Sequence, residues 1–205
     1  MSRYGDEQVL VIPRPLLDDL GSFQGLQFEV DRYLPTFLKP ENNFFMSRDD
    51  AEDDPTHKQI IPYAIFHHGG KFLHYVRGKK SGEQRLASKG SIGIGGHINT
   101  TDKSTEPLGR ETYLRGVGRE VNEELKITGS YEQRIIALLN LDDNEVGRVH
   151  LGVVHLFDLA TNDVEANESE IADLTFLSRE DLLERHNRLE GWSQACVDGL
   201  DQILK

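Results

Sequence analysis

Glu120, Glu123 and Glu124, within the run Glu-Val-Asn-Glu-Glu, are the residues of this chain whose type and spacing point most directly to chemistry. At about 3.6 residues per turn, positions i, i+3 and i+4 fall on one side of a helix. Like charges held that close repel by roughly a few tenths of a kcal/mol per pair in water, and a cation relieves the repulsion. Oxygen ligands with no cysteine among them suit Mg²⁺, Mn²⁺ or Ca²⁺ better than Zn²⁺. Arg119 directly precedes the cluster, and Glu111 lies eight positions before the arginine. The plain alternative is an acidic helix face turned to water, so the surrounding residues must decide.

Such a cluster needs a helix with one buried side. Leu108 to Lys126 carries the strongest helical pattern of the chain, with Leu114, Val117, Val121 and Leu125 as its apolar positions. Those four fall within roughly 80° of one another, and the glutamates lie roughly 110° away. The expectation is a seam against a sheet, with the carboxylates on its flank beside a cleft. Strands are expected at Glu7 to Ile12, Gln59 to His67, Lys71 to Arg77, Ser91 to Ile98, Ile135 to Leu141, Arg148 to Leu159 and Thr175 to Leu177. His68-Gly69-Gly70 makes the second and third of these a hairpin. Ser178 reads as the N-cap of a helix over Asp181 to Arg185, and a last helix is expected near Trp192 to Leu204. Residues 1–56 form an N-terminal extension before the main domain at 57–205, with an ambiguous stretch at 28–45 and an acidic loop at Asp49 to Asp54. Strands around one strong helix imply a mixed sheet covered by helices.

Bulk properties narrow the partners. The chain has 205 residues, enough for one substantial domain with an extension. A net charge of −12 argues against general binding to nucleic acid or a membrane surface. There is no apolar run of the roughly 18 residues that a membrane span needs. The first residues lack the apolar core of a signal peptide, and a lone Cys196 fits a reducing cytoplasm.

The pattern Glu111, seven residues, Arg119-Glu120-Val121-Asn122-Glu123-Glu124-Leu125-Lys126-Ile127 resembles the box of the Nudix (MutT-type) hydrolases. That box reads Gly, five residues, Glu, seven residues, Arg-Glu-aliphatic-x-Glu-Glu-x-Gly-aliphatic. The arginine, all four glutamates and both aliphatic positions match, and Ser91-Ile-Gly-Ile-Gly-Gly96 resembles the strand and turn that lead into it. The resemblance covers residues 58 to 185 and is silent on residues 1–56. Two departures stand out. Fourteen residues separate Gly96 from Glu111, an insertion of about nine, so that Thr105 stands where the strict box wants glycine. Lys126 replaces the glycine after the helix, and Gly129 is the expected substitute for a left-handed helix stop.

The resemblance implies an α/β/α sandwich with a mixed sheet and the Glu-rich helix packed on it. It further implies that Glu120, Glu123 and Glu124 hold Mg²⁺, with Mn²⁺ as the alternative, and that Arg119 orients a glutamate through an ion pair. Glu111 would support the site from near the metal or pair with Arg115. The implied reaction is hydrolysis of a diphosphate linkage in a small, nucleotide-like phosphorylated substrate. A further catalytic glutamate from outside the helix is common in the family; Glu170, with Glu168, is the candidate here, and Asp142, Asp143 and Glu145 are the rivals.

Other positions are weighed from the residues themselves. Arg77, Lys79 and Arg85 make a locally basic stretch able to clamp phosphates, or else an ordinary solvated loop. Gly96 and His97 follow the box strand and are candidates for substrate contact. His150 and His155, five apart, face opposite sides of a strand and read as structural. Trp192 and the aromatics Phe23, Phe28, Tyr33, Phe37, Phe44 and Phe45 read as core or interface, so the extension should pack on its own domain or build a homodimer. Two other functions stay open at this point: a ligand sensor that binds without hydrolysis, and an isomerase acting on a diphosphate substrate.

Overall fold

Apolar runs on both sides of Gly69-Gly70 fold as the expected hairpin, β4 (His57–His68) and β5 (Lys71–Arg77). Both turn glycines have positive φ, +56° and +79°, which a two-residue turn matching the right-handed twist of its strands requires. The structure is a computed structural model and describes residues 2–77, 89–103, 108–167 and 171–205.

Before the hairpin come β1 (Gln8–Pro13), α1 (Arg14–Gly21), β2 (Gly25–Gln27), α2 (Val30–Phe37), β3 (Phe44–Ser47) and α3 (Arg48–Asp53). After it come β6 (Gly90–Ser91), β7 (Gly93–Gly95), α4 (Arg110–Glu124), β8 (Leu125–Ile127), β9 (Tyr131–Asn140), α5 (Glu145–Val149) and β10 (His150–Leu159). The chain closes with β11 (Val164–Ala166), β12 (Ile171–Ser178), α6 (Arg179–Glu184), α7 (Gly191–Asp198) and α8 (Leu200–Ile203). The main hydrogen-bonded path runs β12-β5-β4-β10-β9-β2, and β8 and β11 form a separate pair. This is the mixed-sheet α/β/α architecture expected.

Two compact units divide the chain: residues 1–62, 95–119 and 137–153 in the first, and 63–94, 120–136 and 154–205 in the second. In the first unit β1 pairs antiparallel with β3 and with the start of β4, and β2 pairs with the end of β9. Its most demanding interior group is Lys58, fully buried, whose Nζ donates to Asn140 Oδ1 (2.8 Å), Asp142 Oδ1 (2.6 Å) and Gly147 O (2.8 Å). Arg14 Nη2 donates to the other oxygen of Asp142 at 2.7 Å. A buried ammonium is tolerated only when paired and hydrogen-bonded in this way.

The second unit holds β12 against β5 and β6 against β5. Its buried polar centre joins three hydroxyl groups to one carboxyl group. Tyr63 Oη donates to Glu190 Oε1 at 2.6 Å, beside Ser91 and Ser193, and Glu190 in turn caps α7 by accepting from Ser193 N at 3.0 Å. Burial, reinforced by the Glu190 charge, pushes the Tyr63 phenol well above its ordinary value, so it stays a donor.

Three expectations need correction. The acidic stretch Asp49 to Asp54 is mostly helix, α3, because Ala51 docks against Val9 and Val11 while Asp50 and Asp53 face outward. The strand expected over Ser91 to Ile98 is two short pieces, β6 and β7. The last helix breaks at Gly199 into α7 and α8.

Candidate active site

Helix α4 carries Glu111, Arg119, Glu120, Glu123 and Glu124 on one rod, but not with the face expected. Leu114 is 38% exposed, whereas Thr112, Tyr113, Gly116, Val117 and Val121 are buried. At about 100° per residue these five span roughly 180°, centred on the direction of Glu120 and Glu124. Both of those glutamates are half-buried, and Glu123 on the edge of the arc is exposed. The glutamates therefore continue the inward side of the helix rather than flanking it. The aliphatic count misplaced that side because the burying residues include a tyrosine, a threonine and a glycine.

The end of the helix also differs from the expectation. Lys126 lies in extended β8, which begins at Leu125 directly after Glu124, and no left-handed residue stops the helix; Gly129 takes positive φ only in the turn beyond β8. Asn167 supplies the termination instead. Its backbone N–H donates to Glu124 O (2.9 Å) and its Nδ2 to Asn122 O (2.8 Å), satisfying carbonyls that a helix C-terminus leaves open. Lys126 reaches across the strand pair to Glu165 at 3.0 Å, and this hydrogen bond and charge raise the exposed ammonium above its ordinary value.

Arg119 is anchored by a fork. Its Nε donates to Asp102 Oδ1 (2.8 Å) and its Nη2 to Asp102 Oδ2 (2.9 Å) and to His97 O (2.8 Å). Asp102 is 3% exposed and comes from a short 3₁₀ turn, Thr100–Asp102, inside the inserted segment. Asn99 caps that turn by accepting from Thr101 N, while Asp102 accepts from Asn99 N at 2.9 Å. The approach works because position 116 has no side chain: a Cβ there would strike Ile98 Cδ1 and lie 2.8 Å from Asp102 Oδ2. The insertion thus delivers the arginine's carboxylate. Sequence reasoning missed Asp102, although the Asn99-x-x-Asp102 spacing is a capping-box signature. Asn167 left no comparable signal.

Of the remaining candidates, Gly96 is half-buried, and the His97 ring turns toward Glu52 and His150. Glu111 is exposed in the first turn, and the pair with Arg115 is not formed among the described contacts. Asp142 is occupied by Arg14 and Lys58. Burial would raise its carboxyl, but those hydrogen bonds and the Lys58 charge hold it far below the usual range. His155 meets Gln133 Nε2 at 2.8 Å. Lys79, Arg85, Thr105, Glu168 and Glu170 lie outside the described residues, as does the side chain of Arg77.

No family model matches the chain. Among solved structures it is similar to Tm1382, a protein assigned to the Nudix hydrolases, with 31% identity and a TM-score of 0.79 over 95% of this chain and 98% of that one. With that likeness across nearly the whole of both chains, the protein belongs to the Nudix hydrolases and is a hydrolase. Protein YmaB of Bacillus subtilis (strain 168) is 36% identical over 96% of this chain and 98% of its own length. The NUDIX domain of Shewanella oneidensis NrtR, solved with ADP ribose, shares the fold at 12% identity and a TM-score of 0.55, covering 72% of this chain and 89% of that one.

Proposed function

We propose that the protein hydrolyses a diphosphate linkage in a nucleoside-diphosphate-type substrate, using Mg²⁺ held by Glu120, Glu123 and Glu124. The observation that carries the reading is the placement of Glu120 and Glu124 on the inward side of α4 with Glu123 one residue away on its edge. All three offer hard carboxylate oxygens, and no cysteine or histidine of α4 competes with them, so the donor set fits Mg²⁺ or Mn²⁺. An ion bound there neutralises non-bridging phosphate oxygens and lowers the pKa of its water toward neutrality. The chain's own part is positioning. Arg119, locked by Asp102 and the His97 carbonyl, fixes the rotation of the helix about its axis, and Glu120 follows it directly. Asn167 fixes the other end of the glutamate run.

A product screen tests the reading. Purified protein with Mg²⁺ is offered ADP-ribose, the compound bound by the Shewanella domain, then nucleotide sugars, dinucleoside polyphosphates, reduced dinucleotides and nucleoside triphosphates. Products are resolved by chromatography. The expected result is cleavage between two phosphorus atoms, dependent on Mg²⁺. Tight nucleotide binding without cleavage of any of these compounds would overturn the proposal.

A further inference from the structure

A second set of ligating groups lies within the first unit, apart from the glutamate stripe in its chemistry. Glu52 on α3, His97 just after β7 and His150 at the start of β10 bring one ligand atom each to within 4.8 Å of one another. His97 Nε2 and His150 Nε2 are 3.4 Å apart, and Glu52 Oε1 lies 3.8 Å from the first and 3.7 Å from the second. The contacts to Glu52 are too long to be hydrogen bonds, whose N–H···O separation peaks near about 2.9–3.0 Å. They fit a different purpose. Ligands at roughly 2.0–2.2 Å around a tetrahedral ion stand roughly 3.3–3.6 Å from each other.

The protonation pattern agrees with the spacing. His150 Nδ1 lies 2.7 Å from Val146 O, a pure acceptor, so Nδ1 carries the hydrogen and Nε2 turns its lone pair toward the other two groups. A ring N–H fastened to a backbone carbonyl is the usual support of a metal-binding histidine. All three side chains are largely buried, with 12% exposure for Glu52, 16% for His97 and 7% for His150. Arg48 faces the same carboxylate, its Nε 3.6 Å from Glu52 Oε1, buried and short of a hydrogen-bond partner. The rest of that guanidinium is engaged by Glu7 at 2.9 Å and lies over the Tyr4 ring, so the cation is compensated before it reaches the site. Its Nε is placed to hydrogen-bond a ligating carboxylate from behind.

We propose that Glu52 Oε1, His97 Nε2 and His150 Nε2 bind a transition-metal ion of the Zn²⁺ type, with water completing four ligands. Two imidazoles and one carboxylate suit Zn²⁺, and equally Co²⁺ as a spectroscopic substitute, better than Mg²⁺. Because His97 also gives its carbonyl to Arg119, the ion clamps α3, the segment after β7 and the start of β10 around the arginine's anchor.

The full-length protein, stripped with a chelator, is titrated with Zn²⁺ in competition with a chromophoric chelator, and with Co²⁺ by visible absorption. The expected result is one equivalent of Zn²⁺ bound with a Kd below about 1 µM, together with the intense d–d bands of four-coordinate Co²⁺. Glu52→Gln and His97→Gln should each weaken the ion at least about tenfold. Glu123→Gln and Glu124→Gln should leave the Zn²⁺ equivalent in place, which separates this site from the one used for hydrolysis. Circular dichroism verifies that each variant is folded. No tight equivalent in the unmodified protein, six-coordinate Co²⁺ bands, or equal affinity in the folded Glu52→Gln and His97→Gln variants would each overturn the proposal. The unmodified protein alone suffices for the first two tests, even if a variant does not fold.

Discussion

Asp102 and Asp142 on one hand, and Glu120, Glu123 and Glu124 on the other, are carboxylates put to opposite uses. Each aspartate is matched by cations brought from distant parts of the chain: Arg119 for Asp102, and Arg14 with Lys58 for Asp142. The glutamates stand close together on successive turns of one helix, where like charges repel. An acid that holds a fold together is neutralised within the protein. Under the proposed function, the grouped carboxylates supply negative charge that a bound divalent ion would balance. Substitution should therefore separate the two sets, harming activity in one and stability in the other.

The largest effect should fall on activity. Under the proposed function, Glu123→Gln and Glu124→Gln each remove a charge that would hold the ion while keeping the side chain's shape. Losing several kcal/mol of transition-state stabilisation corresponds to roughly 10³-fold slower turnover. Both variants should remain folded in metal-free buffer by circular dichroism. Unchanged turnover in both variants, measured with the substrate the product screen identifies, would collapse the comparison.

Asp142→Asn should do the reverse, costing about 3–5 kcal/mol of stability in a denaturant titration, because fully buried Lys58 then keeps its charge without a counter-ion. The pH dependence has a definite sign. Asp142 titrates lower in the folded protein than in the unfolded chain, so its contribution is fully present above the ordinary carboxylate range near pH 4 and is lost as pH falls through its folded-state value. The unmodified protein should lose stability steeply on acidification below about pH 4, and Asp142→Asn should flatten that limb.

Much of this contrast could be read from sequence on the glutamate side and little on the aspartate side. The three glutamates are local to one helix, so 3.6-residue periodicity placed them together. The hairpin at Gly69-Gly70 and the Ser178 cap were legible for the same reason, each being set by residues a few positions apart. Lys58 and Asp142 meet across 84 positions of sequence, and no local pattern announces the pairing. Helix α3 is a run of acids around one alanine, and its packing on Val9 and Val11 overrode propensity. Helix α4 was found but turned wrongly, because Leu114 was assigned inward by type while the glycine and threonine that bury were not counted.

A smaller effect would sharpen the comparison at its boundary. Asp102→Asn keeps the volume but breaks the charged fork, which should cost about 1–3 kcal/mol and lower turnover while leaving substrate KM nearly unchanged. Gly116→Ala should act in the same direction, since the new methyl meets Ile98 and Asp102 and must displace one of them. A loss of stability without any loss of turnover would mean that the rotation set by Arg119 does not matter to Glu120.

The smallest effect has the most informative sign. A chain that merely lost a helix-stopping glycine should gain stability when Lys126→Gly restores it. Here position 126 is extended in β8, paired with Glu165 of β11, and the helix end is closed by Asn167. Glycine in a strand gives up conformational entropy and a cross-strand ion pair, so the substitution should destabilise by about 0.5–1 kcal/mol. Asn167→Ala should cost a similar roughly 1 kcal/mol, because the Asn122 carbonyl loses its donor. If Lys126→Gly instead stabilised the protein in a thermal melt, the helix would be stopped in the family's ordinary way. The glutamate run would then owe its position to the helix rather than to Asn167.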